Sequence, residues 1–356
     1  MTTVPGTPAA LTPAALTPVA PASVPVIGVD EIDAAIDRRG AVDAIESALR
    51  DGVDIEADAR RLFSPLDSGE FLLMPTQSPE HAGIKVVTIA PHNPERGLPK
   101  IQAWYLVFDA ATLSPLAILE GAHLTTLRTP AVTAVAIRGM LQADPRGARE
   151  GIESLAVLGS GPQAEAHVRT LVDLMPVGAV SIVGRTAGRT ADLVERLRAD
   201  GIPAVGADAE SRDAESLRAA DVVIAATSSS VPVLGRDDVG AHAVVAAVGS
   251  HGADRRELAA ELVTDADLVV EARASAFREN GNLLQARDLG DWQTGAQPVT
   301  NLRELVAGAF VRREARPAVY TGVGMSWEDL AVVARILRQA PSAEASPQRG
   351  NTDVRK

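Results

Sequence analysis

The chain has 356 residues, no cysteine, a formal net charge of −12 and only 3% aromatic residues. That length suffices for two domains and a large core, which must be built mainly from Ala, Val, Leu and Ile. The charge argues against nucleic acid or an anionic membrane as a partner, and the missing thiols remove disulfides, thiolate catalysis and cysteine zinc sites. The six histidines, His81, His92, His123, His167, His242 and His251, lack ligand spacing, so no metal site is expected.

Residues 1–25 are rich in Ala, Pro and Thr and carry the near-repeat LTPAALTPVAP. Without a basic start or an unbroken apolar stretch this reads as a disordered tail, not a signal peptide. No later apolar run approaches the ~20 residues that span a bilayer, so a cytoplasmic protein is expected. Apolar side chains at Ile32, Ile36, Val42, Ile45 and Leu49 predict a helix over residues 30–51. The runs GEFLLMP, GIKVVTIA, IQAWYLVFDA and PLAILEG, separated by turn signals such as HNPERGLP, predict a mostly antiparallel sheet before Gly121. A helix follows over residues 124–141, and Pro130 places its proper start near Thr129, since proline is tolerated in a first turn but not in an interior. The polar stretch QADPRGAREG from Gln142 then marks a boundary.

The segment from Ser154 to Thr186 reads as strand, glycine turn, helix and second strand. Gly159 allows the tight turn, Gly161 lets the backbone approach a pyrophosphate, and Ala164 replaces the third glycine where helix and strand pack. The opened helix offers free N–H groups to phosphate. The second strand ends on Arg185, followed by Thr186, where an acid would bind a ribose 2′-hydroxyl; arginine suits a 2′-phosphate, which favours NADP(H) over NAD(H). Beyond it, a helix over residues 190–200, a short strand at Ala204 and the apolar runs DVVIAATSS, AVVAAVGSH and DLVVEA predict buried parallel strands. SWEDLAVVARILRQA, with Ser326 as its cap and acids in its first turn, predicts a last helix packing back on the first unit. The fold class is α/β: a Rossmann-type doubly wound parallel sheet over residues 150–312, beside an α+β substrate and dimerisation domain of residues 26–140 and 315–340. A second disordered tail covers residues 341–356.

Of 34 lysines and arginines only Lys85, Lys100 and Lys356 are lysine. Lys85 stands inside an apolar strand. It is either an edge-strand lysine guarding against aggregation or a functional amine with a movable pKa, able to hold a carboxylate or exchange a proton with an imine. In a chain that uses arginine for surface charge the second reading is preferred. Arg128, in LRTP at the helix start, is placed to meet a substrate carboxylate and cofactor phosphates, or else to make a helix-terminus salt bridge.

With GIK at Lys85, NPERGLP, LEGAHLTTLRTPAVTAVA, LGSGPQA, AVG at Val248 and GMSWEDL, the chain resembles the ornithine cyclodeaminase/mu-crystallin family from about residue 29 to residue 338. The resemblance implies a homodimer formed through the first sheet and a nicotinamide cofactor on the second unit. It implies that Arg60, Lys85 and Arg128 hold and transform the substrate. It further implies cofactor contacts at Arg128, Thr129, Pro162, Gln163, Thr227, Val248 and Gly249. Arg185 lies where NAD-using members carry an acid and mu-crystallin an arginine. One departure is GSH, which puts His251 where cyclodeaminases carry the aspartate that handles a distal amine. Imidazole can act as a base but supplies no fixed negative charge. The other is Lys100, where the family often has Thr or Ser, and no role is given to it.

The expected activity is therefore reduction of a cyclic ketimine carboxylate with NADPH. Arg60 and Lys85 clamp the carboxylate within a positive cluster, and Lys85 or a water held by His251 protonates the nitrogen. The catalytic set is thus Lys85, Arg60, Arg128 and His251. Alternatives are ornithine cyclodeamination, a linear amino-acid dehydrogenase, and a crystallin-like protein that only binds NADPH. The partner in every enzymatic reading is a small imino or amino acid.

Overall fold

The computed structural model describes residues 23–208, 214–295 and 297–339. The tails expected at 1–25 and 341–356 lie outside the described residues, save for residues 23–25. Two sheets organise the chain. The first comprises β1 (Val26–Ile27), β2 (Leu62–Leu66), β3 (Gly69–Gln77), β4 (His81–Ile89), β5 (Ile101–Asp109) and β6 (Pro115–Glu120), in the order β1-β6-β5-β4-β3-β2. It is antiparallel except where β1 runs parallel to β6. Strand alternation sends Lys85, Val87, Ala103 and Tyr105 to one face and Val86, Trp104 and Leu106 to the other.

The second sheet comprises β7 (Ile152–Leu158), β8 (Val177–Gly184), β9 (Ala204–Asp208), β10 (Val222–Ala225), β11 (Val244–Ala247), β12 (Asp267–Val270), β13 (Val299–Asn301) and β14 (Ala318–Thr321). Its order is β13-β12-β14-β11-β10-β7-β8-β9, and every pairing is parallel. The expected α/β class is therefore correct. The four residues of β10, β11, β12 and β14 are all buried, as strands covered on both faces require. The chain leaves β7 toward β8 on one side and reaches β10 on the other, which puts a ligand crevice at the carboxyl ends of these strands.

Four local expectations need correction. The return to the first unit was placed at residue 315, but β14 is still a central strand of the parallel sheet. Its four residues gain more as a fully buried strand between β11 and β12 than as a connector. The single helix over 30–51 is two, α1 (Val29–Ala35) and α2 (Arg38–Arg50), because Asp37 caps the second by accepting from Gly40 N at 2.7 Å. The helix expected to begin near Thr129 is α3 (Gly121–Gln142), with Pro130 in its interior. Its start is fixed upstream, where the Glu120 side chain accepts from His123 N. Gly121 also presses on β5 so closely that a Cβ would lie 2.9 Å from Ala103. Burial along most of α3 offsets the cost of the interior proline. Finally, the last helix, Ser326–Gln339, is not capped by Ser326; the Ser326 amide donates to Asp58 Oδ2 at 2.8 Å, so a distant carboxylate does that work.

One continuous core runs through α2, α3, the last helix and both sheets, joining Tyr105 of β5 to Val157 of β7 and Ala246 of β11. The shared core fixes the two sheets relative to one another, and a cleft opens between them.

Candidate active site

The cleft has a volume of about 1360 Å³ and is walled by both sheets and α3. Its size exceeds the roughly 300–1,000 Å³ of an ordinary small-molecule pocket, leaving room for a dinucleotide and a small second ligand together. The glycine turn forms one end. Gly159 has φ +126°, and a Cβ there would lie 2.4 Å from the Ala226 carbonyl oxygen, so no other residue fits the turn as built. Gly161 caps α4 (Pro162–Leu174), and nothing lies within 4 Å of where its Cβ would be. That open space at a helix N-terminus suits a pyrophosphate, and the residues present fit a dinucleotide.

Pro162 and Gln163 of α4 line the same wall. Behind them His167 Nε2 meets Thr133 Oγ1 at 3.0 Å and Nδ1 meets the Gln163 carbonyl at 2.7 Å, which pins α4 to α3. Burial pushes this imidazole down to about 4, so it stays neutral and structural. Arg185 and Thr186 line the cleft after β8, together with Arg189, which sequence reasoning did not single out. Among the described residues neither arginine makes an ion pair within the chain. Thr227 after β10 and Val248 and Gly249 after β11 complete this side.

The opposite side is built around Lys85. It is an interior residue of the first sheet, flanked by Met74 on β3 and Tyr105 on β5, and only 2% exposed, so the edge-strand reading is excluded. Its ammonium donates to Asp329 Oδ2 at 2.7 Å and Oδ1 at 3.0 Å, and to Thr125 Oγ1 at 3.3 Å. Burial, with Arg128 nearby, pushes Lys85 down to about 8 although Asp329 opposes the shift. Arg128 is also buried; it donates to Glu328 Oε2 at 2.6 Å, and its Nε lies 3.3 Å from Asp329 Oδ1. The salt bridge considered for Arg128 thus exists, but it runs from the interior of α3 to the first turn of the last helix. Gly324, with φ +76°, leaves the guanidinium its place, since a Cβ there would lie 2.6 Å from the Arg128 side chain.

The expected positive cluster needs revision. Asp329, Glu328 and Glu271 face Lys85 and Arg128. Burial, then repulsion from Glu271, pushes the Glu328 carboxyl well above its ordinary range, with Arg128 partly opposing. Lys85 and Arg128 therefore face three carboxyl groups, so the site is not the positive cluster expected. The sequence signal was present in the adjacent Glu328 and Asp329 of SWEDL, two acids directly before the apolar run LAVVA. They read there only as helix-terminal charges.

Arg60, expected in the carboxylate clamp, is exposed and does not line the cleft; its neighbour Arg61 does. Arg61 is held by Glu279 at 3.2 Å and donates to the carbonyl oxygens of Val323 and Gly324 at 2.7 and 2.6 Å. Glu271 takes the amides of the same two residues, Val323 N at 2.8 Å and Gly324 N at 2.8 Å. The loop that delivers Glu328 and Asp329 is therefore fixed from both sides. Thr129 and His251 line the cleft. His251 is exposed on its outer side; burial of its ring, then Arg61 and Arg255, lower its pKa and favour the neutral form. Lys100 is exposed and outside the lining.

A family model described as the ornithine cyclodeaminase/mu-crystallin family matches residues 26–344. The chain is 32% identical over 284 residues to the Delta(1)-pyrroline-2-carboxylate/Delta(1)-piperideine-2-carboxylate reductase of Azospirillum brasilense, covering 80% of this chain and 85% of that protein. It is 30% identical over 246 residues to the ketimine reductase mu-crystallin of Mus musculus, covering 69% and 72%. Among solved structures, a probable ornithine cyclodeaminase from Bordetella pertussis Tohama I superposes with a TM-score of 0.77 at 27% identity, covering 89% of this chain and 97% of that one.

Proposed function

The chain belongs to the ornithine cyclodeaminase/mu-crystallin family, and we propose that it reduces a cyclic ketimine carboxylate, of the pyrroline- or piperideine-2-carboxylate type, to the cyclic amino acid with NADPH. The observation that carries this reading is a buried Lys85 ammonium in the same cleft as the glycine turn; His251, which the resemblance sets where cyclodeaminases carry an acid, supports it. The names of the relatives point the same way. Bound NADPH supplies the hydride. Arg61 and Arg128 bind the substrate carboxylate, with Arg61 in the role expected of Arg60. Asp329 keeps the Lys85 ammonium turned into the cleft, where it protonates the ring nitrogen. Asp329 and Glu328 are already taken up by Lys85 and Arg128, which disfavours them as a site for the distal ammonium of a diamino acid.

Offering the purified chain cyclic ketimines and, separately, ornithine tests the reading. NADPH-dependent consumption of the ketimines is expected; release of ammonia from ornithine without ketimine turnover would refute it.

NADPH is preferred over NADH in this proposal because Arg185 and Arg189 line the cleft after β8 and, among the described residues, make no ion pair there. Arg185→Ala is expected to raise the KM for NADPH about tenfold, the loss of one charge-assisted contact, and to leave that for NADH unchanged. Equal effects on both would remove the arginine's assigned role.

The proposed assembly is a dimer through the first sheet. Its outer face carries Leu62, Phe71, Leu73, Val86, Trp104 and Leu106, with Leu62 56% and Trp104 49% exposed. An apolar sheet face of this extent fits burial against a second copy. Light scattering that gives a monomer mass would contradict it.

A further inference from the structure

Glu257 is fully buried and stands one layer behind the cleft wall. Its carboxylate joins the two loops that form that wall. Oε1 accepts from Thr227 N and from Thr227 Oγ1, each at 2.7 Å, and Oε2 accepts from Gly249 N at 2.7 Å. Thr227 follows β10 and Gly249 follows β11, and the loops touch: a Cβ on Gly249 would lie 2.1 Å from the Thr227 carbonyl oxygen. On the other side, the amides of Glu257 and Leu258 donate to Asn282 Oδ1 at 2.9 and 3.0 Å. Asn282 Nδ2 in turn donates to Thr321 Oγ1 at 2.8 Å at the end of β14.

No cation compensates this carboxylate among the described residues. Arg255 donates to the Ser228 carbonyl and Arg256 to the Gln285 carbonyl. Glu279 pairs with Arg61 and Arg278, and neither Asp254 nor His251 bonds to Glu257. The remaining neighbours, Thr227, Ser228, Ser250 and Asn282, are uncharged. A buried charge held only by neutral donors is a costly way to build a fold. Glutamine would relieve that cost, but its amide would turn N–H groups toward Thr227 or Gly249, setting donor against donor. Only a group that accepts on both oxygens satisfies both loops.

We propose that Glu257 is a positioning residue for the nicotinamide nucleotide, holding the Thr227 and Gly249 loops at the separation that the bound nucleotide requires. The proposal rests on the family's cofactor and not on the choice of substrate. Burial pushes Glu257 up to about 7 even though four hydrogen bonds oppose the shift. As pH falls through about 7 one acceptor oxygen becomes a donor, the loops lose their common anchor and the nucleotide weakens. Stability runs the other way. A carboxyl whose folded pKa is raised stabilises the fold most below its ordinary value of 4.5, and that contribution is lost as pH rises through about 7.

The test is a fluorescence titration of NADH, which has no group titrating in this range, into the full chain and Glu257→Gln between pH 6 and 8.5. The wild type is expected to bind about tenfold more weakly at pH 6 than at pH 8.5, the change set by one proton over one unit. Glu257→Gln is expected to bind weakly throughout with no pH dependence, while its free form resists denaturant at pH 8 at least as well as the wild type. A purely structural role would lose stability and binding together. A flat wild-type profile, or a variant that keeps the wild-type affinity, overturns the proposal. Should the variant fail to fold, the same titration of Lys85→Ala decides, since it removes the other group of the cleft brought into this range: a tenfold loss at pH 6 that persists there supports Glu257, and a flat profile overturns the proposal.

Discussion

Lys85→Ala is expected to lower ketimine turnover by about 10²–10⁴-fold, the range associated with loss of a positioned acid or base, while NADPH still binds. The amine lies on the first sheet, across the cleft from the glycine turn, so removing it leaves Gly159, Gly161 and the start of α4 intact. Asp329 keeps Arg128 as a partner, which limits the damage to the fold. The wild-type pH profile should carry the same signature. Since the ammonium is the active form and burial brings Lys85 down to about 8, turnover is present below that pH and lost as pH rises through it. Turnover by Lys85→Ala at the wild-type rate would remove the lysine from the chemistry.

The second large effect concerns stability. Asp329 has no exposed surface and is the carboxylate shared by Lys85 and Arg128. Asp329→Ala strands one buried ammonium and weakens the hold on a buried guanidinium. Breaking a buried pair in this way costs about 3–5 kcal/mol. Denaturant unfolding of Asp329→Ala should show a loss of that size. Asp329→Asn should retain more, because its amide oxygen still accepts from Lys85. A loss below about 1 kcal/mol for the alanine variant, the range of a surface pair, would mean that the ion pair does not organise the cleft.

What could be read from the sequence was what local chemistry dictates. Gly159 and Gly161 sit in a strand-turn-helix whose backbone needs are met within a few residues, and Gly159 takes the positive φ of the turn. Lys85 stood out through the scarcity of lysine, and the alternation of β4 was enough to send it to one face. The failures are tertiary. Lys85 and Asp329 are 244 residues apart, and no local pattern connects them. Arg60 and Arg61 are adjacent just before a strand, so the choice between them depends on how Glu279 and the Val323–Gly324 carbonyls seat one guanidinium. The four residues of β14, Ala-Val-Tyr-Thr, are too short a run to announce a central strand, which moved a boundary. Glu257 had no signal, because the network it joins comes from three separate loops.

The central claim is that Lys85 and the glycine turn belong to one site, with a small acid held between them. A crystal structure with NADP and pyrrole-2-carboxylate, a flat unreactive acid, tests it most directly. The nicotinamide ring is expected between Thr227 and Lys85, the acid's carboxylate on Arg61 or Arg128, and the Lys85 amine within about 3.2 Å of the ring nitrogen. An acid bound elsewhere, or a nicotinamide turned away from Lys85, would contradict it.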